Sequence, residues 1–255
     1  MEYSRTTERY YRVKYLSCPK QYQAEQSIVE SYSNNLFTIL GGESQAGKTT
    51  VAKRLLKNAD RARVYTAYVP GVFTKLYNDV HLALSSALGL PVTCDFTSFR
   101  NIERPLEDLI GGREFRLVFD DASVHFGGGA KQRNASISLM QSLIQRFPNL
   151  KILLVSNLDI LDGPLKEFVA KNTRYVDIGV WQYDQQYRNF ITKVAEACGF
   201  KRSQLSNDDF IKGLLDRSHG ASGALFRILQ TLARNPRCQA CKTLPVNCLR
   251  NMWKF

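Results

Sequence analysis

Residues Gly42-Glu43-Ser44-Gln45-Ala46-Gly47-Lys48-Thr49 spell G-x-x-x-x-G-K-T, and their two flanks restrict the backbone that can carry them. Before the loop, Leu36-Phe37-Thr38-Ile39-Leu40 is an apolar run of buried-strand length. After it, residues 50–57 set apolar side chains at helical spacing. A strand that turns through glycines directly into a helix is the context in which this spacing carries chemistry. Backbone N–H groups of such a loop, with the positive end of the following helix, surround a triphosphate. Lys48 is expected to reach the β- and γ-phosphates and the Thr49 hydroxyl to ligate magnesium. Gly42, Glu43, Ser44, Gln45, Ala46, Gly47 and Thr50 complete the expected nucleotide contacts, so ATP and Mg2+ are the expected cofactors.

The rest of the chain alternates strand-like and helix-like runs. Strands are expected at Arg63–Val69, Arg116–Asp120, Lys151–Ser156 and Tyr175–Val180, in addition to the one before the loop. Helices are expected at Gln21–Tyr32, Val72–Leu88, Phe99–Ile110, Ser136–Phe147 and Leu165–Lys171. Such alternation predicts an α/β fold with a mainly parallel, five-stranded sheet covered on both faces. After Trp181 only helices follow, at Asp184–Cys198, Asp208–Ser218 and Gly223–Arg234. The expected organisation is an N-terminal segment (1–35) against the core, an α/β nucleotide-binding domain (36–181), a small helical lid (182–234) and a basic tail (235–255). The tyrosines of the N-terminal segment, beside Arg9, Arg12, Lys14 and Lys20, either pack across the core or stack on a base or nucleotide ring.

Leu117-Val118-Phe119-Asp120-Asp121 ends an apolar strand with two carboxylates. In phosphate-loop enzymes an acidic residue there holds the magnesium, a role that fits Asp120. Asp121 then sits where a general base orients the attacking water; the alternative is a plain turn residue. Asn157, at the end of the next strand, either holds that water or caps the turn that follows.

Composition narrows the partners. Thirty-five Lys and Arg against 23 Asp and Glu leave a net charge of +12. That excess favours a polyanion, most simply nucleic acid. Residues 217–255 contain seven basic side chains and no acidic one, so the excess is concentrated toward the C-terminal part. No apolar run approaches membrane-spanning length and the N-terminus is polar, so no membrane partner is expected. Six cysteines beside a nucleotide loop are expected to be reduced thiols of a cytoplasmic protein. Cys238, Cys241 and Cys248 cluster in sequence, but three sulfurs without a histidine at zinc spacing read as thiols before they read as a metal site.

With these motifs in place, the chain resembles the AAA+ ATPases, and among them the transposition regulators of the TniB and TnsC type. The resemblance runs from about Arg12 to Leu232. Its narrower part rests on Lys171-Asn172-Thr173-Arg174-Tyr175, on Trp181-Gln182-Tyr183-Asp184-Gln185-Gln186-Tyr187-Arg188, and on His219-Gly220-Ala221-Ser222-Gly223-Ala224-Leu225. It implies Walker A roles for Lys48 and Thr49, Walker B roles for Asp120 and Asp121, and a sensor role for Asn157. It further implies that Arg174 is an arginine finger reaching the ATP of a neighbouring subunit. Two positions depart from the family. Asp121 stands where glutamate is usual, one methylene shorter, which implies slow hydrolysis. Ala224 stands where a lid arginine is expected, with Arg227 one turn further on.

The resemblance also implies a homo-oligomer, a ring or helical filament, on double-stranded DNA. Its implied task is to select transposition targets and recruit transposase and target-selector proteins. The glycine-rich, basic stretch from Phe126 to Asn134 is expected to form a loop whose Lys131 and Arg133 contact DNA phosphates. Thr74 and Lys75, after the second strand, are the other expected DNA contacts. Two readings from other classes stand beside this one: an initiator-like or helicase-loader ATPase, and a nucleotide-gated signalling or defence switch without DNA binding. Leu249, Met252, Trp253 and Phe255 of the tail either hook a partner or dock on the lid.

Overall fold

The computed structural model describes residues 18–71, 80–90, 103–126, 129–157, 163–169 and 172–250. They divide into two compact units. One comprises residues Gln23–Gly42 and Lys48–Ile178, within which the described segments form an α/β sheet unit; the other, made of residues 18–22, Glu43–Gly47 and 179–250, is mainly helical.

The sheet unit holds five parallel strands, β1 (Phe37–Gly41), β2 (Val64–Val69), β3 (Glu114–Phe119), β4 (Leu150–Val155) and β5 (Thr173–Asp177), in the order β2-β3-β4-β1-β5. Helix α1 (Pro19–Asn34) precedes the first strand, and between the strands run α2 (Lys48–Asn58), α3 (Val80–Leu88), α4 (Glu103–Ile110), α5 (Ala122–Phe126), α6 (Ala130–Arg146) and α7 (Gly163–Val169). All five residues of β1 are buried, as are all but one of β4, which is why both read as continuous apolar runs rather than alternating ones. The core joins strand side chains such as Ile39, Leu117 and Leu154 to Leu84, Leu106 and Leu143 from the helices. A register of Leu40 beside Val155, and of Phe119 beside Leu154, brings the carboxyl ends of β1, β4 and β3 side by side.

The expected fifth strand is displaced. It spans Thr173–Asp177 rather than Tyr175–Val180 because its one partner among the described residues, β1, pairs from Phe37–Thr173 to Gly41–Asp177. Gly179, at φ 60°, then turns the chain. The stretch expected as a glycine-rich basic loop also differs. From Ala130 it is the first turn of α6, with Gly129 as its N-cap residue; Gly127 and Gly128 lie outside the described residues. Ala, Lys, Gln and Arg at 130–133 are good helix formers, and the Ser136 hydroxyl donates to the His125 carbonyl (2.9 Å), tying α6 back to α5.

In the helical unit, α8 (Gln185–Ala197), a 3-10 turn (Arg202–Leu205), α9 (Asp208–Ser218) and α10 (Ser222–Ala233) surround Phe210, Leu214, Leu225 and Leu229. Local chemistry sets their ends. Asp184 caps α8 by accepting from the Tyr187 N–H (2.7 Å), and Asn207 caps α9. Two short helices, α11 (Pro236–Ala240) and α12 (Val246–Arg250), follow, and Cys238, Leu244 and Leu249 are buried in the same core. Gln204 fastens this stretch by donating to the carbonyls of Gln239 (3.1 Å) and Cys241 (2.7 Å). Met252, Trp253 and Phe255 lie outside the described residues. No described helix is long and apolar enough to cross a membrane.

The His219-Gly220 step closes α9. His219 adopts the left-handed conformation (φ 48°) and Gly220 follows at φ 70°. A Cβ on Gly220 would lie 2.6 Å from the Trp181 carbonyl oxygen, where the two backbones already share a 2.9 Å hydrogen bond from the Trp181 N–H to the Gly220 carbonyl. Trp181 is held in turn by stacking on Phe190 (4.7 Å) and by donating from Nε1 to the Ser222 hydroxyl (3.0 Å). Gly220→Ala is expected to lower the unfolding free energy by about 1–3 kcal/mol, read from urea denaturation, because strain and clash both act on an immobile backbone.

Candidate nucleotide site

Within the sheet unit, four predicted residues converge at the carboxyl ends of three adjacent strands, the usual place for ligands in open α/β sheets. Lys48, first residue of α2, sends Nζ to the Gly42 carbonyl (2.7 Å) and to Asn157 Oδ1 (2.8 Å). Thr49 donates its hydroxyl to Asp120 Oδ1 (3.1 Å). Asn157 stands just beyond β4 and Asp120 just beyond β3, so the strand order itself places the amide between the ammonium and the carboxylate. A hydroxyl and a carboxylate are hard oxygen donors of the kind magnesium takes, and a lysine beside them suits phosphate oxygens, so the donor set fits a magnesium nucleotide.

Asp121 has a different setting from its neighbour. It is exposed, holds φ 51°, and opens α5 with its carbonyl accepting from the Val124 N–H (3.0 Å). Its carboxylate accepts from the Ser123 hydroxyl. Aspartate tolerates the left-handed region better than most residues. Gly71 approaches so closely that a Cβ there would lie 2.3 Å from Asp121 Cβ, which makes a glycine obligatory after β2. Sequence reading missed this requirement, although a Pro70-Gly71 pair at a strand end marks a tight turn.

Residues 43–47 of the loop group with the helical unit, and their own contacts lie there. Gln45 holds φ 64° and Gly47 φ 104°, and the Ala46 N–H closes a turn onto the Glu43 carbonyl (3.1 Å). Gln21 donates from Nε2 to the Ala46 carbonyl (3.2 Å), and the Gly223 N–H donates to the Gln45 carbonyl (2.8 Å). A Cβ on Gly223 would meet that same carbonyl oxygen at 2.6 Å. The second glycine of the Gly220–Gly223 pair thus lets a helix start approach the loop backbone. In the sequence Gln21 is one position of an expected helix, and nothing in its spacing distinguishes it.

Among the other expected site residues, Arg174 lies on the edge strand β5 and pairs with Glu30 of α1 at 3.5 Å, both side chains well exposed at 40% and 67%. Lys131 is exposed and Arg133 half-buried, both in the first turn of α6. Arg227 is exposed on α10. Thr74 and Lys75 lie outside the described residues. The five described cysteines are free thiols; Cys238 and Cys248 bring their sulfurs within 3.3 Å. No group of three or more His, Cys, Asp or Glu among the described residues is placed to hold a metal.

No family model matches the chain, and no curated protein matches it by sequence. Solved structures do resemble it. A Walker-type ATPase of Pyrococcus abyssi aligns with a TM-score of 0.64 at 17% identity, over 91% of this chain and 70% of that one. The fold is that of the AAA+ P-loop NTPases. The ORC1 protein of Aeropyrum pernix, solved in complex with DNA, gives 0.62 at 14% identity over 91% of this chain and 63% of its own. Cdc6p of Pyrobaculum aerophilum gives 0.63 at 15% over 93% and 67%. At such identities the likeness fixes the AAA+ fold, with its parallel five-stranded sheet.

His125, buried in α5 against Phe119, generates a pH dependence. Burial holds its pKa below the ordinary value, against opposing pulls from the Pro70 carbonyl and the Asp121 carboxylate. The folded state therefore keeps the ring neutral where the unfolded chain binds a proton, and stability is lost as pH falls through the ordinary histidine range. Between about pH 7 and pH 5 wild type is expected to lose stability, and His125→Leu to show a flatter profile over that window, in urea melts at each pH.

Proposed function

We propose that the protein is a magnesium-dependent ATPase whose nucleotide state controls assembly on double-stranded DNA. The observation that carries this reading is the Lys48–Asn157 and Thr49–Asp120 pairing at adjoining strand ends. Lys48 binds the β- and γ-phosphate oxygens, exchanging its present carbonyl and amide partners for stronger, charge-assisted ones. Thr49 and Asp120 hold magnesium, which supplies charge neutralisation on the phosphates. Asn157 and Asp121 orient the attacking water. Asp121 has a short side chain already engaged by Ser123, which favours slow turnover and an assembly that outlives many binding events.

Arg174 acts in trans. Its present partner Glu30 is exposed at 3.5 Å, a pair worth about 0–1 kcal/mol, so releasing it for a neighbouring subunit's phosphate is inexpensive. Lys131 and Arg133 touch DNA phosphates. Two cations in the first turn of α6, which has no acidic residue, oppose the helix dipole by roughly 0.3–1 kcal/mol each. A placement that disfavours the free protein is understandable if an anion neutralises it. Thr74 and Lys75 join them as proposed contacts.

The finer reading is selection of transposition targets, with recruitment of transposase and target-selector proteins; it rests on the sequence resemblance. An initiator-like role is the second reading, favoured by the resemblance in fold to ORC1, whose structure was solved with DNA. Binding of a transposase, or of a replicative helicase, to the DNA-bound assembly discriminates the two.

Duplex-DNA retention and electron microscopy with a non-hydrolysable ATP analogue test the common part. Wild type is expected to form nucleotide-dependent rings or filaments, and Lys48→Ala to form none; normal assembly of Lys48→Ala overturns the reading. Lys131→Ala/Arg133→Ala is expected to lower the slope of log affinity against log salt by about 2, one phosphate contact each. An unchanged slope removes these two residues from the DNA interface.

A further inference from the structure

We infer that Tyr68 is the residue that positions Asp120, and through it sets the affinity of the site for the divalent cation. This rests on the magnesium-nucleotide reading above. Tyr68 lies in the edge strand β2, in register with Val118 of β3, while the Asp120 N–H continues the ladder onto the Val69 carbonyl (2.9 Å). Asp120 is two residues beyond Val118, hence on the same face, and diagonal to Tyr68 at a distance an aromatic side chain can bridge. The phenol donates to Asp120 Oδ2 at 2.5 Å. Thr49 donates to the other oxygen, Oδ1, at 3.1 Å.

The division of labour follows from those two contacts. Asp120 is only 7% exposed, so its carboxylate depends on protein donors rather than water. Threonine has one proton and two lone pairs. Its hydroxyl can give the proton to Oδ1 while its oxygen faces a cation, so the Thr49 contact survives metal binding. Oδ2 belongs to Tyr68. With one oxygen pinned by the phenol, the carboxylate plane is fixed and Oδ1 is presented on the Thr49 side. An ordinary phenol keeps its proton throughout the physiological range, so Tyr68 is the donor in this contact. Tyr68 touches neither phosphate nor metal in this arrangement; it acts through the orientation of Asp120.

Hydrogen-bond partners that orient a metal ligand typically alter metal affinity by about 10–100-fold when removed. The test uses the full chain, Mn2+ as the probe metal and a non-hydrolysable ATP analogue, with free Mn2+ followed by electron paramagnetic resonance. Tyr68→Phe removes one hydroxyl and keeps the ring. It is expected to weaken Mn2+ binding in the nucleotide complex by about tenfold or more. Affinity for the nucleotide without metal should be unchanged, which a general loss of structure would not allow. In an Asp120→Asn background the same substitution should have a much smaller effect. Unaltered Mn2+ affinity in Tyr68→Phe, or an equal loss with and without Asp120, overturns the inference while leaving nucleotide binding intact. If wild type itself fails to bind Mn2+ with the analogue, the nucleotide reading falls first.

Discussion

The insertion of β4 between β1 and β3 is the constraint on which the candidate site depends. Parallel strands must return by crossovers, so residues far apart in sequence meet only where the ladder sets them level. Here Leu40 pairs with Val155 and Leu154 with Phe119. The chain then leaves three adjacent strands at nearly one height, carrying Gly42, Asn157 and Asp120. A slip of one residue in β4 would turn its buried side chains to the opposite face and take Asn157 away from Lys48. The apolar side chains inside the sheet thus fix the polar geometry at its edge.

Two close backbone approaches, one within each unit, depend on glycine. Gly71 allows the end of β2 to lie against Asp120 and Asp121, and Gly223 allows the first turn of α10 to reach Gln45. Elsewhere the same economy appears in polar form. Glu25, almost fully buried, is ion-paired with Arg54 (2.9 Å) and accepts from the Asn58 amide (2.8 Å), so a charge inside the sheet unit is compensated.

Much of this architecture is legible in the letters. The phosphate loop, the five strand runs and the helices after Trp181 carry period and punctuation, and Asp120, Asn157 and Lys48 follow from strand ends. What resisted reading was of another kind. The start of α6 was hidden because three glycines dominate the eye, although residues 130–133 are helix formers. The limits of β5 depend on its partner, not on its own residues. Cys238, Leu244 and Leu249 are buried, yet short irregular turns space them without a helical or strand period. Gln21 and Tyr68 are ordinary members of a helix and a strand; only the folded register gives them neighbours to act on.

The Gln21 contact has a consequence for the direction of the loop's peptide groups. In a trans peptide the carbonyl and the N–H point in opposite directions. By engaging the Ala46 carbonyl, Gln21 turns the N–H of the same peptide unit, that of Gly47, to the far side of the loop. Gly223 does likewise at Gln45, directing the next N–H into the turn that Glu43 closes. Of these two peptide units, the Ala46 N–H is thereby used within the loop, on the Glu43 carbonyl, and the Gly47 N–H is turned away from Gln21. A side chain outside the loop, Gln21, thus sets the direction of one of the loop's amide planes.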